Sequence, residues 1–441
     1  MEKTISDRIY RAVYAAILLL SVVTMVYFKL IDGYCYVFDA ASFRVAADRL
    51  SLGYFDAFRT PVYPAIIVAM RTILPPQYVY PGLCVVQAAV FLLSAEVLRR
   101  LFIRMGLRRW LGLLLVAVYA DSPGVTEFSV IPISDSLGVS FMVFWLWSML
   151  RDDATQARAS SAVMSVVILG LMVFLRPVFV CLLPLSALWW GHVWLRRRRR
   201  GLSARPALAG IIGLVVLSGL LESYREEIHR LYGLTSFSHV SSINNFCTVA
   251  ESGNLKPEDC RTPAQREILE YFKATGDTVR RTPIFITVNL KFHTHIPPHE
   301  LESLCNTAIR NHPGGIARAI AYRTTHKAWN DRAMHTLEVS PWLSVYRTYM
   351  PRMCWVMILY ALGAIVLAVL SRQRRRAGAP LLARSWLFWL AGAAILFTSL
   401  VGAMNDWSRL ILPALPTSLF ILGFIISSFH FKKSRNDENQ L

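Results

Sequence analysis

Long apolar runs recur along the chain, at positions 10–30, 79–98, 133–150, 162–175, 178–195, 207–221, 354–370, 385–404 and 410–429, with a shorter one at 110–120. A hydrocarbon core about 30 Å thick needs about 20 mostly apolar residues per helical crossing. The pattern therefore predicts an all-α polytopic membrane protein of about ten transmembrane helices. The first run follows Lys3, Arg8 and Arg11, is longer than a signal h-region and has no small-residue cleavage site behind it. It reads as a retained signal anchor.

Between the runs, two stretches have a pattern of their own. In the loop at 31–81, Asp39, Phe43, Ala46 and Leu50 fall on one helical stripe, with Arg44 and Asp48 expected to pair one turn apart on another. This predicts an amphipathic helix lying along the membrane surface. The apolar stretch 61–74 is too short to cross and is interrupted by Pro64 and Arg71, so a second juxtamembrane or re-entrant helix is expected. From 222 to 351 the chain turns polar. Thr262, Pro263 and Gln265 open a helix expected to run through Phe272, Pro297 and Pro298 start another ending near Gly314 and Gly315, and 316–337 reads as a third. The chain thus divides into an N-terminal transmembrane region (1–221), a small, mainly helical segment (222–351) and C-terminal transmembrane helices with a tail (352–441).

Charge orients this picture. If the runs cross in order from a cytoplasmic N-terminus, the inner side holds 24 Lys and Arg against 7 Asp and Glu, and the outer side 23 against 21. The net charge of +19 therefore gathers on the inner loops, the positive-inside pattern, with both termini cytoplasmic and the 222–351 segment outside. That excess marks topology and contact with anionic membrane lipid, and it argues against a nucleic-acid partner. Only 17% of the chain is charged and 55% is hydrophobic, too apolar for one soluble core. Seven cysteines are scattered without a CxxC or zinc-like spacing. Cys247 and Cys260 lie in the segment expected outside, where a disulfide can form, with free buried thiols the default expectation.

On this topology the polar groups that are hardest to explain as loops share the outer side. Asp39 sits in the apolar stretch Tyr36-Val37-Phe38-Asp39-Ala40-Ala41, where a carboxylate is costly without a partner. Arg59 and Tyr63 follow in Arg59-Thr60-Pro61-Val62-Tyr63-Pro64. Asp121, Glu127 and Asp135 surround the next outer turn, Arg176-Pro177 marks another, and Asn405, Asp406 and Arg409 the last. Some have structural readings: Asn405 or Asp406 as a helix cap, and Asp121 as a turn residue before Ser-Pro, the reading that its place favours. Asp135 is expected about one turn inside an apolar helix, where a charge needs a reason. His293, His295 and His299 straddle a double proline in a polar loop and read as loop residues rather than metal ligands.

In these residues the chain resembles the GT-C glycosyltransferases, nearest to bacterial protein-mannosyltransferase-like and lipid A aminoarabinose-transferase-like members. The resemblance is carried by Asp39 in the first outer loop, Arg59-Thr60-Pro61-Val62-Tyr63-Pro64, Ser122-Pro123, Ser134-Asp135-Ser136-Leu137, Leu175-Arg176-Pro177 and Arg409-Leu410-Ile411-Leu412-Pro413. It implies an inner-membrane enzyme that moves a sugar from a polyprenyl-phosphate carrier to a cell-envelope hydroxyl. The acceptor is a glycan, lipid or protein, and inversion at the anomeric carbon is expected. Where the protein O-mannosyl members carry an acidic pair, Asp39 is followed by Ala40. Relatives differ in their use of a divalent ion, so magnesium or manganese is a candidate cofactor. Asp39 is the implied catalytic base. Arg59, Tyr63, Glu127, Asp135, Arg176, Asp406 and Arg409 are implied to bind the donor phosphate or the substrate.

The chemistry explains the residue types. Displacement at an anomeric carbon by a hydroxyl needs one positioned base, while a phosphate leaves as a stable anion and needs cations instead of a second carboxyl. The competing expectation is a transporter or flippase for a lipid-linked sugar, with the same side chains lining a path.

Overall fold

The computed structural model describes residues 2–32, 38–281, 296–328, 353–374, 382–402 and 407–438, and the regular elements among them are all helical. The first half runs α1 (Glu2–Asp32), α2 (Phe38–Ser51), α3 (Val62–Ile73), α4 (Val79–Arg104), α5 (Arg109–Ala120), α6 (Pro123–Ser129), α7 (Asp135–Leu150), α8 (Ala159–Leu175), α9 (Leu182–Arg199) and α10 (Arg205–Tyr232). The polar segment adds α11 (His239–Glu251), α12 (Pro263–Arg281), α13 (Pro298–Asn311) and α14 (Pro313–Tyr322). The C-terminal part holds α15 (Met353–Arg374), α16 (Leu382–Gly402), the short α17 (Trp407–Leu410) and α18 (Leu415–Glu438).

Five helical stretches, Ile5–Leu30, Pro76–Arg104, Pro177–Arg199, Arg205–Tyr232 and Ser385–Gly402, are long and apolar enough to cross a membrane. Large apolar side chains stand exposed on them, including Leu19 and Val23 on α1, Val85 and Leu93 on α4, and Ile212 and Val215 on α10. Contiguous apolar surface of this kind belongs against lipid or another apolar partner. The chain has the build of a membrane-embedded helical protein.

At the centre stands α7, whose residues are buried on nearly every side and which packs against α4 and α8. A helix apolar all round belongs inside a bundle. α10 closes the layer by packing on α8 and α9. At Gly210 a Cβ would stand 2.5 Å from Cγ of Trp190, so only glycine admits the indole there. The polar segment has a core of its own around Phe246, Cys247, Leu304, Cys305 and Ala308. Three hydrogen bonds tie its start to the loop after α2: Tyr232 Oη to the Phe55 carbonyl (2.6 Å), Ser238 Oγ to that of Phe58 (2.6 Å) and the His239 amide to that of Ala57 (2.7 Å).

Several expectations change in detail. Both juxtamembrane helices form, as α2 and α3, but Asp48 takes Arg71 of α3 (2.7 Å) instead of Arg44; a partner on another helix displaces the one a turn away. The helix opened by Pro263 continues past Phe272 to Arg281. The one opened at Pro298 stops at Asn311, because Pro313 cannot continue it and starts α14 instead. The third expected helix ends its regular part at Tyr322 and passes into a wide turn, Arg323–Lys327; its remainder lies outside the described residues. Cys247 and Cys260 are free thiols, not a disulfide. Asp135 is the first residue of its helix, not a turn inside it, where the helix dipole favours a carboxylate.

Candidate functional site

Four separated pieces of chain meet at one end of the bundle. Asp39 lies in the first turn of α2. The loop after α2 carries Arg59, and its shape is set by Asp56, which accepts the backbone amides of Phe58 (2.7 Å) and Arg59 (2.9 Å) and pairs with Arg49 (2.7 Å). Arg59 donates to Asp39, donates through Nε to Ser42 Oγ (2.8 Å), and has its guanidinium carbon 4.4 Å from the centre of the Phe43 ring. One residue on, Thr60 Oγ1 donates to the Leu175 carbonyl (3.1 Å). That bond fastens the Arg59 loop to the end of α8, just before Arg176.

Arg176 leaves α8 in an extended conformation because Pro177 follows it. Its Nη1 donates to Asp135 Oδ1 at 2.6 Å. Arg409, carried by the short α17, closes the group. Its Nε and Nη2 each lie 2.9 Å from an oxygen of Asp135, a two-pronged pair, and Nη2 also reaches Asp39 Oδ2 at 2.6 Å. Its guanidinium carbon stands 5.5 Å from the centre of the Phe128 ring. Among the described residues three guanidiniums thus share two carboxylates, an excess of one positive charge within these five side chains.

Burial separates the two acids. The Asp135 side chain is 1% exposed and the Asp39 side chain 24%, so Asp135 is the buried strut and Asp39 the face open to a substrate. Burial pushes the Asp39 carboxyl up, but the nearby charges of Arg59 and Arg409 outweigh it and hold the group well below the usual carboxylate range. As arranged here, Asp39 is ionised and a weak base.

The structure brings Asp39, Arg59, Asp135, Arg176 and Arg409 together, sets Tyr63 on Gln87, and buries Glu127 in α6. Tyr63 is fully buried, packs on Phe43 with ring centres 4.6 Å apart, and donates to Gln87 Oε1 at 2.5 Å. The Gln87 amide in turn donates to the carbonyls of Ile131 (2.8 Å) and Phe128 (3.3 Å). Tyr63 therefore stands outside the charged cluster and braces the connection leading to Asp135. Glu127 is buried in α6 beside Phe128. Asp406, Asn405, His293 and His295 lie outside the described residues, and His299 sits 4.0 Å from Glu300 on α13. Asp56, Ser42 and Gln87 went unrecognised in the sequence. A polar Gln87 inside an apolar run was the signal for one of them; Asp56 three residues before Arg59 was the signal for another.

Among the described residues no group of three or more His, Cys, Asp or Glu gathers in metal-binding fashion. Asp39 and Asp135 do not fit a divalent ion, since Arg409 lies between them and their oxygens already face guanidiniums.

No protein-family model matches this chain, and a search of curated proteins finds no match.

Proposed function

We propose that the protein is a GT-C-type glycosyltransferase of the bacterial inner membrane, with about ten crossings, both termini cytoplasmic and the Asp39 cluster on the outer side. It moves a sugar from a polyprenyl-phosphate carrier to a hydroxyl of a cell-envelope acceptor. The observation that carries the reading is the cluster itself: three arginines on two aspartates, the more open of which can reach a substrate. Its surplus positive charge suits a phosphate anion.

In the proposed reaction, the donor phosphate takes a share of Arg409 and Arg59 from Asp39. With those cations engaged elsewhere, the Asp39 carboxyl recovers basicity. It accepts the acceptor proton as the acceptor oxygen bonds to the anomeric carbon, and the carbon–oxygen bond to phosphate breaks with the electron pair leaving on the carrier phosphate. Arg176 and Asp135 hold Arg409 in place; Tyr63 and Gln87 hold the segment that bears Asp135. A transporter or flippase would use the same groups as a path, but their gathering at one end of the bundle favours chemistry at that end.

The test is Asp39→Asn, purified and shown to be folded, incubated with a radiolabelled polyprenyl-phosphate sugar and envelope membranes. Loss of a positioned base should lower transfer by about 100- to 10,000-fold. Turnover close to that of the unaltered protein overturns the role of Asp39. Mass spectrometry of envelope glycans from cells with and without the gene identifies sugar and acceptor together.

A further inference from the structure

A second cationic feature lies further along α2, where a cleft of about 580 Å³ opens between α2, the end of α3 and the start of α4. Its lining includes Arg44, Arg71, Leu74, Gln77 and Tyr80. Asp48 stands one turn from Arg44, yet its carboxylate is taken by Arg71 at 2.7 Å. Arg44 is exposed and has no ion pair among the described residues. The cleft thus holds two guanidiniums for one carboxylate and carries an unspent positive charge.

Its surroundings say what kind of anion suits it. The cleft lies at the mouth of the candidate membrane span Pro76–Arg104. Ile73 (74%) and Tyr78 (57%), chain neighbours of the lining residues Leu74, Gln77 and Val79, are largely exposed, and further along α4 the side chains of Val85 (68%) and Leu93 (57%) are exposed as well. An aromatic residue and arginines at the start of a span, with bare aliphatic side chains beyond, are the arrangement of a headgroup layer above an acyl layer. Beside the lining residue Pro81, a Cβ at Gly82 would stand 2.5 Å from Leu74 Cδ1, so the end of α3 sits directly on α4.

We propose that this cleft binds the phosphodiester headgroup of an anionic membrane lipid, with Arg44 as its principal contact, Arg71 as its second, and the lipid tails lying along Ile73 and the exposed side of α4. The site is separate from the Asp39 cluster and rests on the membrane-embedded build of the chain, not on sugar transfer. An anionic lipid supplies both halves of what the cleft presents, a charge for Arg44 and hydrocarbon for the bare face of α4. Its effect would be to pin α2 and α3 against α4, and so to steady the helix that carries Asp39.

The experiment is native mass spectrometry of the delipidated full-length protein in neutral detergent, titrated with phosphatidylglycerol or with phosphatidylcholine of the same chains. The first phosphatidylglycerol should bind at least about tenfold more tightly than phosphatidylcholine, and Arg44→Gln should weaken it by roughly tenfold. Arg44→Lys, which keeps the charge but not the planar fork, should lie between. Lys256→Gln, on the polar segment, should leave it unchanged. Arg44 is exposed and makes no ion pair among the described residues, so its variants should melt like the parent. Equal binding of phosphatidylglycerol by Arg44→Gln and the parent overturns the proposal. So does displacement of the lipid by millimolar inorganic phosphate, which would make this a site for a soluble anion.

Discussion

Toward the far end of α4, Arg99 and Arg100 share Glu96, three and four residues away, at 2.7 and 2.6 Å, and Arg109 lies over the Tyr10 ring at 3.7 Å. At the other end of the bundle, Arg59, Arg176 and Arg409 converge on two aspartates, and Arg409 lies 274 residues from Asp135. Both ends are rich in arginine. In the first, the Glu96 group is built from neighbours on one helix turn, with the Arg100 side chain 61% exposed, and solvent screens the Arg100 pair. The second is built from four distant pieces of chain around an aspartate that is 1% exposed. The difference teaches that an arginine cluster marks a site when folding has spent long-range order to assemble it and has removed the water that would otherwise solvate it.

Asp135→Ala should have the largest effect, because it leaves Arg176 and part of Arg409 without their buried partner; a loss of about 3–5 kcal/mol in stability is expected, read as a fall in Tm in detergent. A variant that melts with the parent would show that the buried cluster is no strut.

Asp39→Asn should cost less, about 1–3 kcal/mol, and its pH dependence has a definite sign. The Asp39 pKa is lower in the folded protein than in the unfolded chain, so its contribution is fully present above the unfolded value and is lost as pH falls through the folded one. The Tm gap between parent and Asp39→Asn should hold from pH 8 to about 5, and narrow only below about pH 4. A gap that closes near neutrality would contradict the ion pairing with Arg59 and Arg409.

Tyr63→Phe removes a buried donor from Gln87 without emptying the ring's place and should cost about 1 kcal/mol. If Tyr63 only braces the segment leading to Asp135, this change lowers stability and leaves donor affinity nearly intact; a large loss of affinity would return Tyr63 to the substrate. The smallest effect should be at the other end, where Arg100→Ala is expected to change stability by less than about 0.5 kcal/mol. A cost comparable with that of Asp135→Ala would erase the distinction between the two ends.

The positions of Asp39, Arg59, Asp135, Arg176 and Arg409 are legible in the sequence because each is a charge in a poor place for one: in an apolar stretch, before a proline, or beside a membrane run. Their pairing was not legible. Asp48 illustrates why: helical spacing offered it Arg44, and the folded chain gave it Arg71 from α3. The roles shifted for the same reason. Arg59 was a candidate for the donor phosphate and is found on Asp39; Tyr63 shared its motif and is found on Gln87, behind the cluster. Period and spacing report what lies within a turn or two of chain, while ion pairs across the bundle depend on which helices become neighbours.

That the chain is helical and membrane-embedded, and which few charges stand in apolar surroundings, can be read from the sequence alone. Those properties follow from local composition: the length of an apolar run, its flanking charges and the cost of a carboxylate in hydrocarbon. The folded chain alone places Arg409 between Asp39 and Asp135, leaves Asp39 more exposed than Asp135, and leaves Arg44 without an ion pair among the described residues, beside a cleft. These depend on burial and on contacts between distant segments, and a charge's partner, solvation and basicity are properties of its surroundings rather than of its place in the chain.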